Sequence, residues 1–569
     1  MTEHNIKWIL KEAPESEIGA HGSLPKILLH LLAQRGVAGE EAVENFLYPK
    51  LKDLSDPFEL PNMKAAVTRI LAAVDEGQRV LIYGDYDVDG ITSVTLMLKV
   101  LREYGLDADY FIPRRGEEGY GLSEASIEHL VAKHGVMDLL ITVDCGTASI
   151  DEIKILNEKG IDVIVVDHHE MSAQGCPECV AVVNPKLGDD FQYLCAAGVV
   201  FKLAHALMKE RMVAGFDLKS LLDIVAVATI SDIVPLVDEN RLLVRHGLSR
   251  LPTTDNKGLQ ALQRIAEIKG RVSSMDVGFR IGPRINAAGR MDKPEEALKL
   301  LLCDDELEAR VLSESLNTFN IERQKHEKRI RDEAMAMLLE RFEPTTDPVI
   351  VLGSRDWHPG VVGIVASRLM RLYYKPTFVI AIDGDGVGKG SGRSVEGVSL
   401  VGAIQACDDD LITGGGHDMA AGLSVEEGKL DTFRDNFSRY VLENTTEDDR
   451  KPRIYVDAEI DFSELSLEFL DSYELLQPFG SKNPQPLFMA TDVWLTEAPR
   501  RLKNQHLKLF MRQGVVEHDA IFFGGGDRDL PDPPWDVAFT IDRNTFRGVT
   551  SLQVVIQDIR AAESGNLEG

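Results

Sequence analysis

VLIYGDYDVDG, residues 80–90, is the stretch on which the reading of this chain turns. Val80–Gly84 is a short unbroken apolar run closed by glycine, the pattern of a strand covered on both faces. Asp85, Asp87 and Asp89 follow at once, and Gly90 permits a tight turn into the helical ITSVTLMLKVLREYG. Three carboxylates so close together repel one another, and a divalent cation is the usual compensation. The plainer alternative is a solvated acidic turn with an Asp as helix N-cap.

Outward from this stretch the pattern repeats. ADYFIP, the helical SEASIEHLVAKHG, DLLITVD (138–144), the helical SIDEIKILNEKG and IDVIVVD (161–167) alternate in order. Such alternation predicts a parallel sheet with helices on both faces, and ligands bind beyond the carboxyl ends of its strands. Asp144 ends one strand, Asp167-His168-His169 ends the next, and Asp232 follows the apolar helix VAVATIS. Each alone reads equally well as a cap or loop residue; together they would converge on one rim. Mixed Asp and His ligands without a thiolate suit Mn²⁺ or Mg²⁺. Two such ions about 3.5–4 Å apart would polarise a phosphate and produce hydroxide near neutral pH.

The whole chain has 569 residues, enough for several domains. The expected fold is α/β: two α/β domains with mainly parallel sheets, joined by a long helix, plus a C-terminal OB-like β-barrel. The expected divisions are a segment over 1–75, the metal-site domain over 76–300, the connecting helix over 301–345, a second α/β domain over 346–444 and the barrel over 453–562. Leu312, Leu316, Phe319, Ile330, Ala334 and Met337 recur as one apolar stripe on the helix, with Arg323, Lys325, Lys328, Arg329 and Arg331 on its other face. Glycine-rich loops are expected at GSGRS (390–394) and GGGH (414–417). In the barrel, Arg500, Arg501, Lys503, Lys508, Arg512, Arg543 and Arg547 interleave with Phe510 and Phe546, the composition of a groove for a single strand.

The net charge of -30 counts against a nucleic-acid partner, because phosphate binders usually carry a basic face. Screening over roughly 8–10 Å lets a basic channel coexist with an acidic exterior. No apolar run is long enough for a membrane span and the N-terminus is not a secretory signal, so a cytoplasmic location is expected. Six scattered cysteines fit a reducing compartment, and the lone pair Cys176 and Cys179 lacks the second pair of a structural zinc site.

DYDVDG, TVDCG, VVDHH and GGGHDMAAG, in that order, resemble the motif series of the DHH phosphoesterase superfamily. FLYPKLKDLSDPFELPNM, GPRINAAGRMD, HPGVVGIVASRL, KGSGRS and LQPFGSKNPQP narrow the resemblance to its bacterial single-strand-specific 5′→3′ DNA exonucleases, over about Phe46 to Arg560. Ser481-Lys482 and Cys195-Ala196-Ala197-Gly198 depart from the commoner forms. The resemblance implies that Asp87 and Asp144, with Asp85, hold one metal ion. Asp89, Asp144, His168 and Asp232 would hold the other, with Asp144 bridging, and His169 would face the scissile phosphate. It implies release of 5′-mononucleotides in DNA repair and recombination, with a single-stranded-DNA-binding protein and a helicase as collaborators. Arg114 or Arg115, Arg280, Arg284, Asn286, Ser391, Arg393 and His417 are candidate phosphate contacts, and Tyr120 a base-stacking ring. A monomer is expected. The alternative is a phosphodiesterase of the same superfamily acting on short oligonucleotides or cyclic dinucleotides.

Overall fold

The computed structural model describes residues 6–12, 24–114, 118, 121–341, 343, 346–503 and 505–562. It divides into two units. The first gathers mainly 56–234 and 246–452, the second 7–55, 235–245 and the chain from Arg453.

In the first unit, β1 (Val80–Gly84), β2 (Asp109–Phe111), β3 (Leu139–Val143), β4 (Asp162–Val166) and β5 (Ala181–Val183) form a wholly parallel sheet in the order β2-β1-β3-β4-β5. Every residue of β1 and β3 is buried, which explains their unbroken apolar composition. Burying a side chain such as Ile141, fully enclosed here, stabilises by about 1.5–3 kcal/mol. Three helices bear on the site: α1 (Val88–Glu103), α2 (Ala196–Glu210) and α3 (Leu222–Ser231).

α4 (Glu306–Arg341) is one continuous helix of 36 residues, about 54 Å long. Leu316, Phe319, Ile330 and Ala334 of the expected stripe are buried. Between them the stripe turns polar, with Asn320 and Glu327 buried and Arg323 pairing with Glu327 at 2.8 Å. Arg323 therefore does not lie on the solvated face assigned to it, because the i, i+4 carboxylate draws it inward.

The second sheet of this unit comprises β6 (Ile350–Ser354), β7 (Thr377–Ile382), β8 (Val387–Arg393), β9 (Leu411–His417) and β10 (Ala420–Glu426), ordered β9-β10-β8-β7-β6. Only β6 and β7 run parallel; β7–β8, β8–β10 and β9–β10 are antiparallel. Short reversals at 383–386 and 418–419 leave no room for crossover helices. The glycine-rich stretches expected as loops are the strands β8 and β9. Their glycines make room for neighbours: a Cβ on Gly392 would lie 2.4 Å from Phe378 Cε1.

The second unit holds the expected barrel. Seven strands run in the order Ala458–Glu459, Phe488–Leu495, Trp535–Phe546, Val549–Ala561, Val516–Phe522, His506–Gln513, Arg500–Leu502. Pairing of Phe488–Leu495 with His506–Gln513 closes it. The segment over 1–75 does not stay together. Lys7–Leu10 pairs in parallel with Arg453–Val456, and Leu28, Leu31 and Leu47 join the barrel core, whereas Met63–Glu76 is a helix of the first unit. Arg241 binds this unit together. Its guanidinium donates to the carbonyls of Phe46, Leu475, Leu476 and Gln477 and lies over the Phe46 ring at 3.7 Å. Burial pulls its pKa down to about 9. Among the described residues no helix is long and apolar enough to cross a membrane.

Candidate metal centre

The carboxyl ends of β1, β3 and β4 present the candidate ligands, and the backbone of each turn fixes where they point. Asp87 caps α1, its carboxylate accepting from Gly90 N–H at 3.1 Å. Gly90 is required there, because a Cβ would collide with the Asp85 backbone. Asp89 is 1% exposed and accepts the N–H groups of Ala196 at 2.7 Å and Ala197 at 2.9 Å, the uncapped start of α2. The departing Cys195-Ala196-Ala197 sequence thus serves the site chiefly through its backbone, with the Cys195 thiol a lesser hydrogen-bond partner of Asp89. Asp144 takes a left-handed backbone, φ 61°, while its N–H continues the ladder to Val166 O. Asp232 closes α3.

These turns bring the predicted ligands into two abutting sets. Asp85, Asp87 and Asp144 have ligand atoms within 4.8 Å of one another, as do Asp89, His168 and Asp232. His168 Nε2 stands 3.3 Å from Asp144 Oδ1, 3.7 Å from Asp232 Oδ2 and 3.8 Å from Asp89 Oδ2. Asp144 Oδ1 and Asp232 Oδ2 are buried and accept no hydrogen bond. A buried carboxylate oxygen without a donor is costly, and a divalent cation is the partner this donor set fits. The protonation pattern agrees. Burial, and then Asp89, push Asp144 well above the usual carboxylate range. Burial and Asp87 raise Asp89 to about 7, and burial and Asp89 raise Asp232 to about 9. Burial, and then His169, lower His168 to about 4, which leaves the neutral imidazole a metal requires.

His169 is handled differently. Burial alone would lower its pKa, but Nδ1 lies 2.8 Å from Asp167 Oδ1 and that bond and charge raise it to about 9. Asp167, 1% exposed, also accepts from the backbone N–H groups of Thr147, His168 and His169. Asn184 donates to Thr147 Oγ1 and to the His169 carbonyl. Thr147 and Asn184 were not singled out from sequence, and Asp167 was read only as part of the strand-end run Asp167-His168-His169, without a role of its own.

The other candidates divide. Ser391 and Arg393 line a cavity of about 610 Å³ together with Arg290, Lys389, His358 and Gly416. Arg393 donates to Ser391 Oγ at 3.0 Å. His417 is exposed at the end of β9, and its charge helps depress the pKa of Glu170, after the larger effect of Lys186. Asn286 and Arg290 are one turn apart on the helix Gly282–Arg290, and Gly289 of that helix sits directly against the Tyr86 carbonyl. Arg280 and Arg284 do not reach the cavity. Arg280 binds Asp276 at 2.9 Å and the Ala266 carbonyl; Arg284 binds Asn317 at 3.1 Å and the Arg280 carbonyl at 2.6 Å. Arg114 follows β2, its N–H held by Glu118. Arg115 and Tyr120 lie outside the described residues. Arg290, Lys389 and His358 went unselected, although each lies inside a motif that carried the family resemblance: GPRINAAGRMD, KGSGRS and HPGVVGIVASRL.

On the barrel, Arg500 and Lys508 flank Phe510, at 4.6 and 5.0 Å from its ring centre. Each also meets a carboxylate, Arg500 at Glu497 and Lys508 at Asp519, as Arg543 does at Glu474 and Asp471. Of Phe546, only the backbone is described.

The chain matches the DHH family N-terminal domain over residues 79–229, the DHHA1 domain over 346–443 and the RecJ OB domain over 456–558. It is 35% identical to the single-stranded-DNA-specific exonuclease RecJ of Bacillus subtilis, covering 99% of this chain and 72% of that protein. The Escherichia coli protein of the same name is 34% identical, over 94% of this chain and 96% of its own. The crystal structure of RecJ in complex with Mn²⁺ from Thermus thermophilus superposes with a TM-score of 0.83 at 31% identity, over 99% of this chain and 81% of that one.

Proposed function

The chain belongs to the RecJ family of single-stranded-DNA-specific exonucleases, and from that premise we propose that it removes nucleotides from the 5′ end of single-stranded DNA as 5′-mononucleotides. The observation that carries the reading is the pair of abutting ligand sets, Asp85–Asp87–Asp144 and Asp89–His168–Asp232, with Asp144 Oδ1 turned toward His168 of the second set. Two divalent cations, Mn²⁺ or Mg²⁺, supply Lewis acidity and water activation when bound there.

The chain's own residues do the remaining work. The α2 backbone fixes Asp89, so its position does not depend on the metal. His169, tied to Asp167, sets a positive charge beside the carboxylate rim and draws in the scissile phosphate. Water attacks phosphorus in line and the 3′-oxygen of the terminal nucleotide leaves. Ser391 and Arg393 hold phosphate across the cavity, where the glycines of β8 and β9 let backbone approach the strand. A cavity of about 610 Å³ is the size of a small-molecule site, with room for one nucleotide. The barrel binds the remainder of the strand, with Phe510 as a stacking surface between Arg500 and Lys508. The protein acts in DNA repair and recombination as a monomer, with a helicase and a single-stranded-DNA-binding protein delivering its substrate.

The test uses 5′-labelled and 3′-labelled single-stranded DNA with Mn²⁺, Mg²⁺ or EDTA, on wild type and Asp144→Ala. Early release of the 5′ label as a mononucleotide, abolished by EDTA and by the substitution, supports the proposal. Early release of the 3′ label overturns the polarity. Hydrolysis of dinucleotides alone moves the protein to the short-substrate enzymes of its superfamily.

A further inference from the structure

Midway along α4, where the buried stripe turns polar, the helix faces a second cavity of about 990 Å³. Arg290, Arg323, Arg331, Arg368, Arg371 and Arg393 all line it. Its lining holds one carboxylate, Glu327, which is 3% exposed and already engaged by Arg323 and Arg368. Arg323 Nε is buried without an acceptor, and Arg371 makes no ion pair among the described residues. In a chain of net charge -30, six guanidinium groups around one space need an explanation that composition does not supply. Among the described residues Arg331 meets only its sequence neighbour Asp332, at 3.1 Å, and Arg368 and Arg371 reach solvent. Like charges gathered around one space repel unless an anion joins them, and phosphate matches the guanidinium fork.

The wall opposite α4 supports the same ligand. α5 (Val362–Tyr373) lines the cavity along its side, from Gly363 in the first turn to Leu372, and its N-cap residue Val361 provides no side-chain cap. Gly363 lets that end close on β8, because a Cβ there would lie 2.8 Å from Ser391 Oγ. The mouth is apolar. Phe279 lines it and is 69% exposed, a ring face left open to a stacking partner, and Leu372 stands with it. A phosphate-binding floor beneath an aromatic mouth is the recognition pattern of a nucleotide. Arg290, Ser391 and Arg393 line both cavities, so the two share a rim.

We propose that this arginine cavity is a second nucleotide site, apart from the metal centre, which takes the nucleoside 5′-monophosphate just released from the strand. The identity of that ligand rests on the function proposed above; the site itself rests on the lining. Because the cavities share a rim, a product leaving the first passes its phosphate along Arg393 and Arg290 to the arginines of α4 and α5. Retained there, it slows the next turnover, and the enzyme shows product inhibition by nucleoside 5′-monophosphates.

Binding is measured on the full chain in EDTA, so that metal-held phosphate does not contribute, with dAMP and inorganic phosphate as probes in a calorimeter. Wild type, the double variant Arg331→Gln/Arg371→Gln and Phe279→Ser are compared, with thermal melting to establish that each is folded. Wild type binds dAMP more tightly than inorganic phosphate. The double variant binds both about tenfold or more weakly, as expected when charge-assisted bonds to phosphate are lost. Phe279→Ser weakens dAMP about tenfold and leaves inorganic phosphate unchanged. Equal dAMP affinity in wild type and a folded double variant overturns the site, as does no binding at all. Binding as described, in a protein that fails to release mononucleotides from DNA with Mn²⁺, supports the site and defeats only the exonuclease reading. Hydrolysis without dAMP binding defeats the site alone.

Discussion

Gly289→Ala tests whether the helix Gly282–Arg290 sets the geometry of the metal centre. Gly289 faces the Tyr86 carbonyl, and an added Cβ would stand 2.4 Å from that oxygen and 3.2 Å from Tyr86 Cδ2. Ordinary contact begins at 3.4 Å, so the loop or the helix must yield by about 1 Å. Tyr86 lies between Asp85 and Asp87, and its backbone cannot move without carrying both carboxylates. Overpacking of this kind costs about 1–3 kcal/mol in stability, while a 1 Å misplacement of reacting groups costs about 100-fold in rate. The expected phenotype is a folded protein with roughly 100-fold lower kcat/KM for mononucleotide release, and with weaker Mn²⁺ binding by titration. Gly278→Ala is the control. A Cβ there meets only Ile230 Cγ2, at 3.8 Å, so activity should hold. Near-wild-type kcat/KM in Gly289→Ala, with the melting temperature also unchanged, would refute the reasoning.

Three further outcomes follow from the geometry. Asp144→Asn removes the carboxylate that links the two ligand sets, and hydrolysis should fall by at least about 1,000-fold while the melting temperature in EDTA stays level or rises, because folding no longer has to bury and protonate a carboxyl group. Arg241→Met strips four carbonyls of their shared donor, and denaturant melts of the barrel core should show a loss of about 3 kcal/mol or more; a loss under 1 kcal/mol would mean that water replaces the guanidinium. Arg500→Ser with Lys508→Ser should weaken binding of long single strands and lower the salt slope by roughly 0.7 per lost phosphate contact, leaving dinucleotide hydrolysis intact; an unchanged slope would remove these side chains from the strand's path.

Much of this molecule was legible in its sequence. The parallel sheet could be read because buried strands have no polar face, and β1 and β3 show none. Asp85, Asp87, Asp89, Asp144, His168 and Asp232 could be read because they fall at ends of elements whose order is local. What escaped was non-local or backbone-borne. β8 looked like a loop because its glycines answer to Phe378 and Ile380 on β7, and β9 because Gly414 and Gly416 answer to Ile404 and to Ala420 and Ala421, pairings that the sequence does not display. Arg280 and Arg284 looked ready for phosphate, yet Asp276 and Asn317 satisfy them nearby. Arg323 looked solvated because a helical wheel cannot tell that the inward stripe changes from apolar to polar at Asn320. Asp167 belongs to neither ligand set among the described residues and accepts four hydrogen bonds, three of them from backbone.

The parallel pairing of Lys7–Leu10 with Arg453–Val456 has a consequence for how the protein is made. Lys11 Nζ reaches Asp457 across 446 residues, and Trp8 Nε1 reaches Asp558 across 550. On a ribosome the metal-site sheet can close as soon as residue 183 has emerged, whereas the strand Lys7–Leu10 must wait for Arg453–Val456, and the Trp8 side chain for Asp558. Until then Leu28, Leu31 and Leu47 have no barrel core to enter. The early translation product therefore leaves these leucines without their native partners, and a fragment ending near residue 452 never supplies them.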